Sequence, residues 1–256
     1  MGEYNIKAIL FDKDGTLFNY GEVWGSIIAQ SLENALPLKK LSAEKRERCL
    51  REFQIVIGVD KSGHTYSDGI LFRHDRWISA TWRLLKLCFR YNLSPIKVYQ
   101  ATVALAKRSD YGLKEKLENL DFPDVRTVFE ACHQRGYIIG MVTNDTNIST
   151  SMFLEKMDAY KYISFIRTGE STSCKHKPNP QAIKQLCQEK NLTSNQVCVV
   201  GDTIVDMQFA KNGKVGYTVA VLTGSGDKEA LEKLSNAIYP TLKDILSDPV
   251  LFPPLE

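Results

Sequence analysis

The sequence predicts an α/β fold with a Rossmann-like parallel sheet of about five strands and helices on both faces. Three observations lead to this class. Short apolar runs alternate with helical patterns at the start of the chain and through its second half, which is typical of parallel sheets covered by helices. Polar clusters follow four of these runs, and a long stretch between the first and second runs contains helical patterns only.

The first predicted strand is AILF at residues 8–11, an apolar run of the kind that is buried on both faces of a sheet. Four more runs follow, each preceded by a helical pattern. The further strands are predicted at 137–142, 162–166, 197–200 and 217–222, and the helices between them at 122–135, 146–157, 180–190 and 204–211. Because ligands of such sheets bind outside the carboxyl ends of the strands, those ends are the place to look for a site.

The helical stretch interrupts this alternation directly after the first strand. Its patterns predict helices at 24–35, 43–57, 75–91, 94–108 and near 113–120. We therefore expect two domains. A discontinuous core covers 1–19 and 121–256, and an all-helical domain, inserted as an excursion of one loop, covers 20–120.

Composition excludes several classes of protein. Hydrophobic residues make up 43% of the chain and charged residues 25%, and the net charge is only +3, so neither a disordered chain nor a nucleic-acid-binding protein is indicated. The six cysteines form no close pair of the zinc or thioredoxin type. With no signal peptide and no apolar stretch of bilayer length, we expect a cytoplasmic protein that does not contact a membrane, as a monomer or homodimer.

The first polar cluster is DKDGT, where Asp12 and Asp14 leave the first strand one residue apart. Alternate residues point to the same side of a strand, so the two carboxylates can converge. At an effective dielectric near 20, two like charges about 4 Å apart repel by roughly 4 kcal/mol. A proton on one carboxylate or a cation between them would relieve that repulsion. A simple Asp-Gly hairpin turn is the competing interpretation.

Three more clusters follow later strands. Thr143 and Asn144 could donate hydrogen bonds to phosphate oxygens, although Thr143 or Asp145 could instead cap a helix. Lys177 lies in a proline-rich loop, KPNP, that could aim its ammonium group. In GDTIVD, Asp202 can cap the next helix, and Asp206 faces the same way one turn later. Four such clusters at neighbouring strand ends predict one shared site.

At this point the residues resemble a known family. FDKDGT, VTND, KPNP and GDTIVD are similar, in order and spacing, to the four motifs of the haloacid dehalogenase-like (HAD) phosphatases. The segment 122–145 is similar to the phosphoglycolate-phosphatase-like branch in particular. The resemblance covers 1–19 and roughly 121–245, and the helical insert corresponds in position to that branch's cap domain.

The resemblance implies a role for each motif residue. Asp12 would be the nucleophile that forms an aspartyl-phosphate, and Asp14 the general acid and then base. Thr143, Lys177 and Asn144 would bind the phosphoryl group. Mg²⁺ would be held by the Asp12 carboxylate, the Asp14 backbone carbonyl and Asp202, with Asp206 as a ligand or as a partner behind the ligands. An acidic residue at position 14 favours phosphoryl transfer over dehalogenation, because a halide leaves without a proton.

The expected substrate is a small phosphorylated metabolite, phosphoglycolate or a sugar phosphate. Two alternatives use the same motifs: a phosphomutase of the β-phosphoglucomutase type and a non-catalytic phosphate-binding protein. In the insert, the predicted helix 75–91 has a basic face that is simplest to interpret as solvated. Residues just before or at its start, Arg73, His74 and Arg76, could alternatively meet an anionic substrate.

Overall fold

The computed structural model describes residues 4–71 and 77–254, with the backbone alone at positions 35, 77, 78, 80 and 101–111. Six strands form one parallel sheet in the order β3-β2-β1-β4-β5-β6. The strands are β1 Ala8–Phe11, β2 Ile138–Val142, β3 Ile163–Arg167, β4 Val197–Gly201, β5 Tyr217–Val221 and β6 Ala237–Tyr239. The predicted fold class is confirmed.

Nine helices lie in the described part of the chain. The first four are α1 Tyr20–Ala35, α2 Ala43–Ile57, α3 Trp77–Arg90 and α4 Pro95–Glu118. The remaining five are α5 Pro123–Gln134, α6 Asn147–Lys156, α7 Gln181–Lys190, α8 Ile204–Gly213 and α9 Lys228–Glu232. None of these helices, as far as they are described, is both long and apolar enough to cross a membrane.

Helices cover the sheet on both faces, and the side chains of β1 alternate between these faces. Ala8 and Leu10 belong to a buried cluster with residues of α7 and α8, including Ile183 and Phe209. On the opposite face, the ring of Phe11 lies 5.3 Å from that of Phe129 in α5. A strand buried on both faces must be apolar throughout, which explains the AILF run.

The sequence missed strand β6 and divided one helix. Strand β6 has three residues, all partly exposed, and pairs with β5 at the edge of the sheet, so it carries too short a pattern to be recognised. The helices predicted at 94–108 and 113–120 are the single helix α4, which runs through Gly112. A Cβ atom at Gly112 would lie 3.1 Å from Cγ2 of Ile27. The glycine therefore serves close packing against α1 instead of ending the helix.

The chain divides into two compact units. One ends at Asn19 and resumes at Leu120, and the other runs from Tyr20 to Asn119. The first contains the whole sheet, and the second contains α1 to α4. The role of the helical unit as a cap stays a prediction.

Candidate active site

The carboxyl ends of β1, β2 and β4 lie side by side. Phe11 pairs with Met141 of β2 and with Val200 of β4, and the Asp12 backbone N–H donates to the Val200 carbonyl at 2.9 Å. From β1 the chain builds the sheet in one direction with β2 and β3 and then in the other with β4 to β6. Asp12 therefore sits where the strand order reverses, which is where ligands of open α/β sheets bind.

Lys177 joins two carboxylates in this crevice. Its Nζ atom lies 2.5 Å from Oδ1 of Asp12 and 2.6 Å from Oδ1 of Asp206, and the three side chains are at most 10% exposed. The loop that carries Lys177 is tied to the end of β2. The Lys177 backbone N–H donates to Asn144 Oδ1 at 3.0 Å, and Asn144 Nδ2 donates to the Lys177 carbonyl at 3.3 Å.

Asp202 completes a group of acidic residues. Asp12, Asp202 and Asp206 are all buried, and each offers an oxygen within 4.8 Å of the others. Three carboxylates and the single ammonium group of Lys177 leave a formal charge of −2. A buried charge of this size is relieved by protonation or by a cation, and a divalent cation matches both the charge and the all-oxygen donor set. These residues fit a metal of the magnesium type.

The protonation behaviour of the cluster follows from its burial. Burial raises the pKa of Asp12 to about 7, with repulsion from Asp206 and Asp14 in the same direction and the Lys177 ammonium opposing it. Burial likewise raises the pKa of Asp202 well above its ordinary value, with further repulsion from Asp12 and Asp206. For Lys177, burial opposes the charge, but the carboxylates of Asp12 and Asp206 outweigh it and raise the pKa of the ammonium group.

Helix α8 positions Asp206 through its first turn. Thr203 is the N-cap, its hydroxyl accepts from the Asp206 N–H, and Oδ2 of Asp206 accepts from the Thr203 N–H at 3.0 Å. This reciprocal capping box fixes the Asp206 carboxylate while its other oxygen faces Lys177. The prediction that Asp202 caps this helix is wrong, because Asp202 remains on the strand end and its carboxylate turns into the cluster.

Asp202 is held by residues to which the sequence analysis assigned no role. The Thr16 hydroxyl donates to Asp202 Oδ1 at 3.1 Å, and the Ser225 N–H donates to Oδ2 at 3.1 Å. Gly15 has φ +89°, and a Cβ atom there would lie 2.5 Å from Asp202 Oδ2. Glycine is thus needed both for its backbone conformation and for this close approach. The glycine at position 15 of FDKDGT is a signal for such a close approach in the sequence, whereas no motif near Ser225 indicates its contact with Asp202.

Not all of the remaining predicted residues lie within the acidic group. Thr143 is buried at the end of β2, and its hydroxyl accepts from the Asp145 N–H at 3.1 Å, so the hydroxyl proton remains for donation. The Asp14 carboxylate lies outside the acidic group, with Oδ2 2.7 Å from Nζ of Lys13. Asn144 holds the Lys177 backbone, as described above. The three basic residues predicted at the start of the helix in the insert, Arg73, His74 and Arg76, lie outside the described residues.

Sequence reasoning missed Lys13 and Asp145. Lys13 stands between Asp12 and Asp14 in the sequence, and its side chain is fully buried. Its Nζ atom lies 2.7 Å from Oδ2 of Asp145. Asp145 does not cap α6, whose N-cap is Thr146. The available signal was a lysine at the end of an otherwise apolar strand, where a buried ammonium group needs an acidic partner.

Comparisons with known proteins point to one family. Residues 6–214 match the family model of the haloacid dehalogenase-like hydrolases. The chain is 31% identical over 254 residues to a phosphoglycolate phosphatase of Salmonella paratyphi A, covering 94% of this chain and 92% of the relative.

Solved structures show the same fold. A predicted phosphoglycolate phosphatase from Haemophilus somnus superposes with a TM-score of 0.64 at 22% identity, covering 96% of this chain and 99% of the other. CbbY from Rhodobacter sphaeroides, solved in complex with phosphate, gives a TM-score of 0.58 at 13% identity, covering 94% and 96%. The resemblance drawn from the four motifs is confirmed, and the chain belongs to the haloacid dehalogenase-like hydrolases.

Proposed function

We propose that this enzyme hydrolyses phosphate monoesters of small metabolites in a Mg²⁺-dependent reaction, through a phosphoryl intermediate on Asp12. The observation that carries the proposal is the position of the Asp12 carboxylate. It lies at the reversal point of the sheet, is bound by Lys177 at 2.5 Å, and shares an acidic group with Asp202 and Asp206. A carboxylate held beside a cation site suits attack on a phosphate dianion, which would otherwise repel it.

The metal would be held by Asp12, Asp202 and the backbone carbonyl of Asp14. Asp206 belongs to the same acidic group, but both of its oxygens already accept hydrogen bonds, from Lys177 and from Thr203. This engagement suits a residue that supports the ligands from behind. When bound, Mg²⁺ would neutralise the excess negative charge and polarise a phosphoryl oxygen.

The chemical steps follow from these positions. A carboxylate oxygen of Asp12 forms a bond to phosphorus as the bond to the ester oxygen breaks, and Asp14 gives its proton to that departing oxygen. Water then attacks the phosphorus, its proton passes to Asp14, and the bond from phosphorus to Asp12 breaks. The products are the alcohol and inorganic phosphate, and both carboxyl groups return to their starting states.

Binding of the phosphoryl group falls to Lys177 and Thr143. The Lys177 ammonium is positioned beside the attacking oxygen and offsets charge on the phosphoryl group in the transition state. The Thr143 hydroxyl, buried at the end of β2, has its own proton to donate. Asn144 contributes mainly by fixing the Lys177 loop through its two hydrogen bonds, with direct phosphate contact as its second role.

The substrate class is a small phosphorylated metabolite, and phosphoglycolate is the first candidate because a relative that the chain covers almost completely carries that activity in its name. The test is phosphate release from a panel containing phosphoglycolate, several sugar phosphates and p-nitrophenyl phosphate. Wild type, Asp12→Asn and the surface control Asp158→Asn are compared with Mg²⁺ and with EDTA. Asp158 is an apt control because it pairs with Lys161 at 2.6 Å on an exposed surface.

We expect release by wild type and Asp158→Asn in Mg²⁺, and none by Asp12→Asn or in EDTA. The order of rates across the panel then identifies the preferred alcohol. Folded wild type that releases no phosphate from any compound contradicts the proposal, as does a hexose 1-phosphate that is converted to its isomer without release of phosphate.

A further inference from the structure

Lys13 forms a second buried ion-pair cluster beside the first. Its side chain is fully buried, and Nζ lies 2.7 Å from Asp14 Oδ2, 2.7 Å from Asp145 Oδ2 and 3.2 Å from Ser149 Oγ. These three acceptors match the three N–H groups of the ammonium. The side chain runs past the ring of Phe18, whose centroid is 5.4 Å from Nζ. A charge in such apolar surroundings is stable only with partners of this kind.

The far side of this cluster is fixed to the start of α6. Oδ1 of Asp145 accepts from the Thr146 N–H at 2.7 Å, and Oδ2 accepts from the Ser149 hydroxyl at 2.5 Å. Thr146 is also the N-cap of α6. Asp145 is therefore tied to the first turn of α6 by two hydrogen bonds, and it anchors the Lys13 ammonium.

The near side of the cluster holds the Asp14 carboxylate. Asp14 is partly exposed, with 16% of its side chain accessible, whereas Lys13 is inaccessible. Because the Lys13 ammonium holds Oδ2 of Asp14, it constrains the direction of the other oxygen, which can carry the proton to be donated. The single ammonium group of Lys13 thus faces two carboxylates, each with an oxygen 2.7 Å from Nζ.

We propose that Lys13, anchored by Asp145 and Ser149, is a positioning residue that orients the Asp14 carboxylate toward the oxygen leaving the phosphorus. This inference rests on the proposed function, in which Asp14 is the acid. The neighbouring cluster of Lys177 orients the nucleophile in the same way, through one lysine shared by two carboxylates. Two buried lysines thus hold the two reacting carboxylates separately.

To distinguish a positioning role of Lys13 from a purely structural one, the test compares two substrates whose leaving groups differ in their need for a proton. A p-nitrophenolate ion departs without a proton, whereas the alkoxide of an alkyl ester needs one. The value of kcat/KM covers the steps up to departure of the leaving group. We compare kcat/KM for p-nitrophenyl phosphate and for phosphoglycolate in wild type, Lys13→Met, Asp145→Asn and the surface control Lys161→Met.

For Lys13→Met we expect kcat/KM to fall at least about tenfold more with phosphoglycolate than with p-nitrophenyl phosphate. General acid catalysis usually accelerates a reaction by about 10²–10⁴-fold, and a misaligned acid loses part of this acceleration. Asp145→Asn keeps the ammonium but loosens its anchor, and it should shift the ratio in the same direction by less. Lys161→Met should leave both values unchanged. In a crystal structure of Lys13→Met we expect the Asp14 carboxylate to have left its wild-type orientation.

Equal losses on both substrates, or no loss on either, overturn the inference, and so does an unmoved Asp14 carboxylate in the variant. If thermal melting shows that Lys13→Met does not fold, the ratio of the kcat/KM losses on the two substrates in Asp145→Asn tests the inference instead. A wild-type enzyme that releases phosphate from no ester of the panel overturns the proposed function itself, which keeps the two failures distinguishable.

Discussion

Asp12→Asn is the substitution that tests the electrostatic account of the site most directly. Burial raises the pKa of Asp12 from 3.8 to about 7. The folded chain therefore holds a proton at this carboxyl more tightly than the unfolded chain, and stability falls as pH rises between about 4 and 7. The pKa values of Asp12 in the folded and unfolded chain differ by about 3. Since one pKa unit corresponds to about 1.36 kcal/mol, the ionised carboxylate lowers the free energy of unfolding by about 4 kcal/mol once the pH is well above 7.

Asparagine retains the shape of the side chain and removes its charge. The pair between Lys177 and Asp206, 2.6 Å apart, remains. In EDTA at pH 8 we expect Asp12→Asn to be more stable than wild type by up to about 4 kcal/mol, although it is inactive. At pH 5 most of the wild-type protein already carries the proton when folded, so the difference shrinks to less than half of its value at pH 8.

Urea unfolding of both proteins in EDTA, across pH 5 to 8, measures this difference. The exposed control Asp158→Asn should change the unfolding free energy by less than about 1 kcal/mol. Added Mg²⁺ should stabilise wild type at pH 8 and narrow its gap to Asp12→Asn, since a cation that binds the folded chain shifts the equilibrium toward it. An Asp12→Asn protein less stable than wild type at pH 8, or a gap that does not change with pH, would refute this reasoning.

Three further substitutions test other parts of the structure. Lys177→Met leaves buried carboxylates without their ammonium partner, so we expect a loss of about 3–5 kcal/mol at pH 8, smaller at pH 5, in urea unfolding. Gly15→Ala puts a Cβ atom 2.5 Å from Asp202 Oδ2 at φ +89°, and a stability loss of about 1–3 kcal/mol with weaker Mg²⁺ binding should appear in thermal melts with increasing Mg²⁺. Asp248→Asn disturbs a buried carboxylate that accepts from the hydroxyls of Tyr217 and Tyr239, each at 3.0 Å, and should cost about 1–3 kcal/mol in melting experiments while kcat stays unchanged. An unchanged melting temperature in any of the three contradicts the corresponding contact.

Much of the fold was predictable because its elements have local patterns. The β1 run is apolar at every position since both faces are covered, and the prediction of β4 at 197–200 differs from the structure by one residue. Strand β6 was not predictable, since a three-residue edge strand is defined by its pairing with β5 and not by its own pattern. The break predicted between 108 and 113 is absent from α4, in which Gly112 continues the helix and packs closely against Ile27 of α1.

By itself, the sequence determined the parallel sheet, the inserted helical stretch and the four strand ends where the polar residues lie, because apolar periodicity and motif order are local properties. Only the tertiary structure decided which of those polar groups face one another. It brings Lys177 between Asp12 and Asp206, which are far apart in the chain, and turns the Asp14 carboxylate toward Lys13 and Asp145. Charge pairing in a buried crevice depends on distances across the sheet, and such distances carry no local signature in the order of residues.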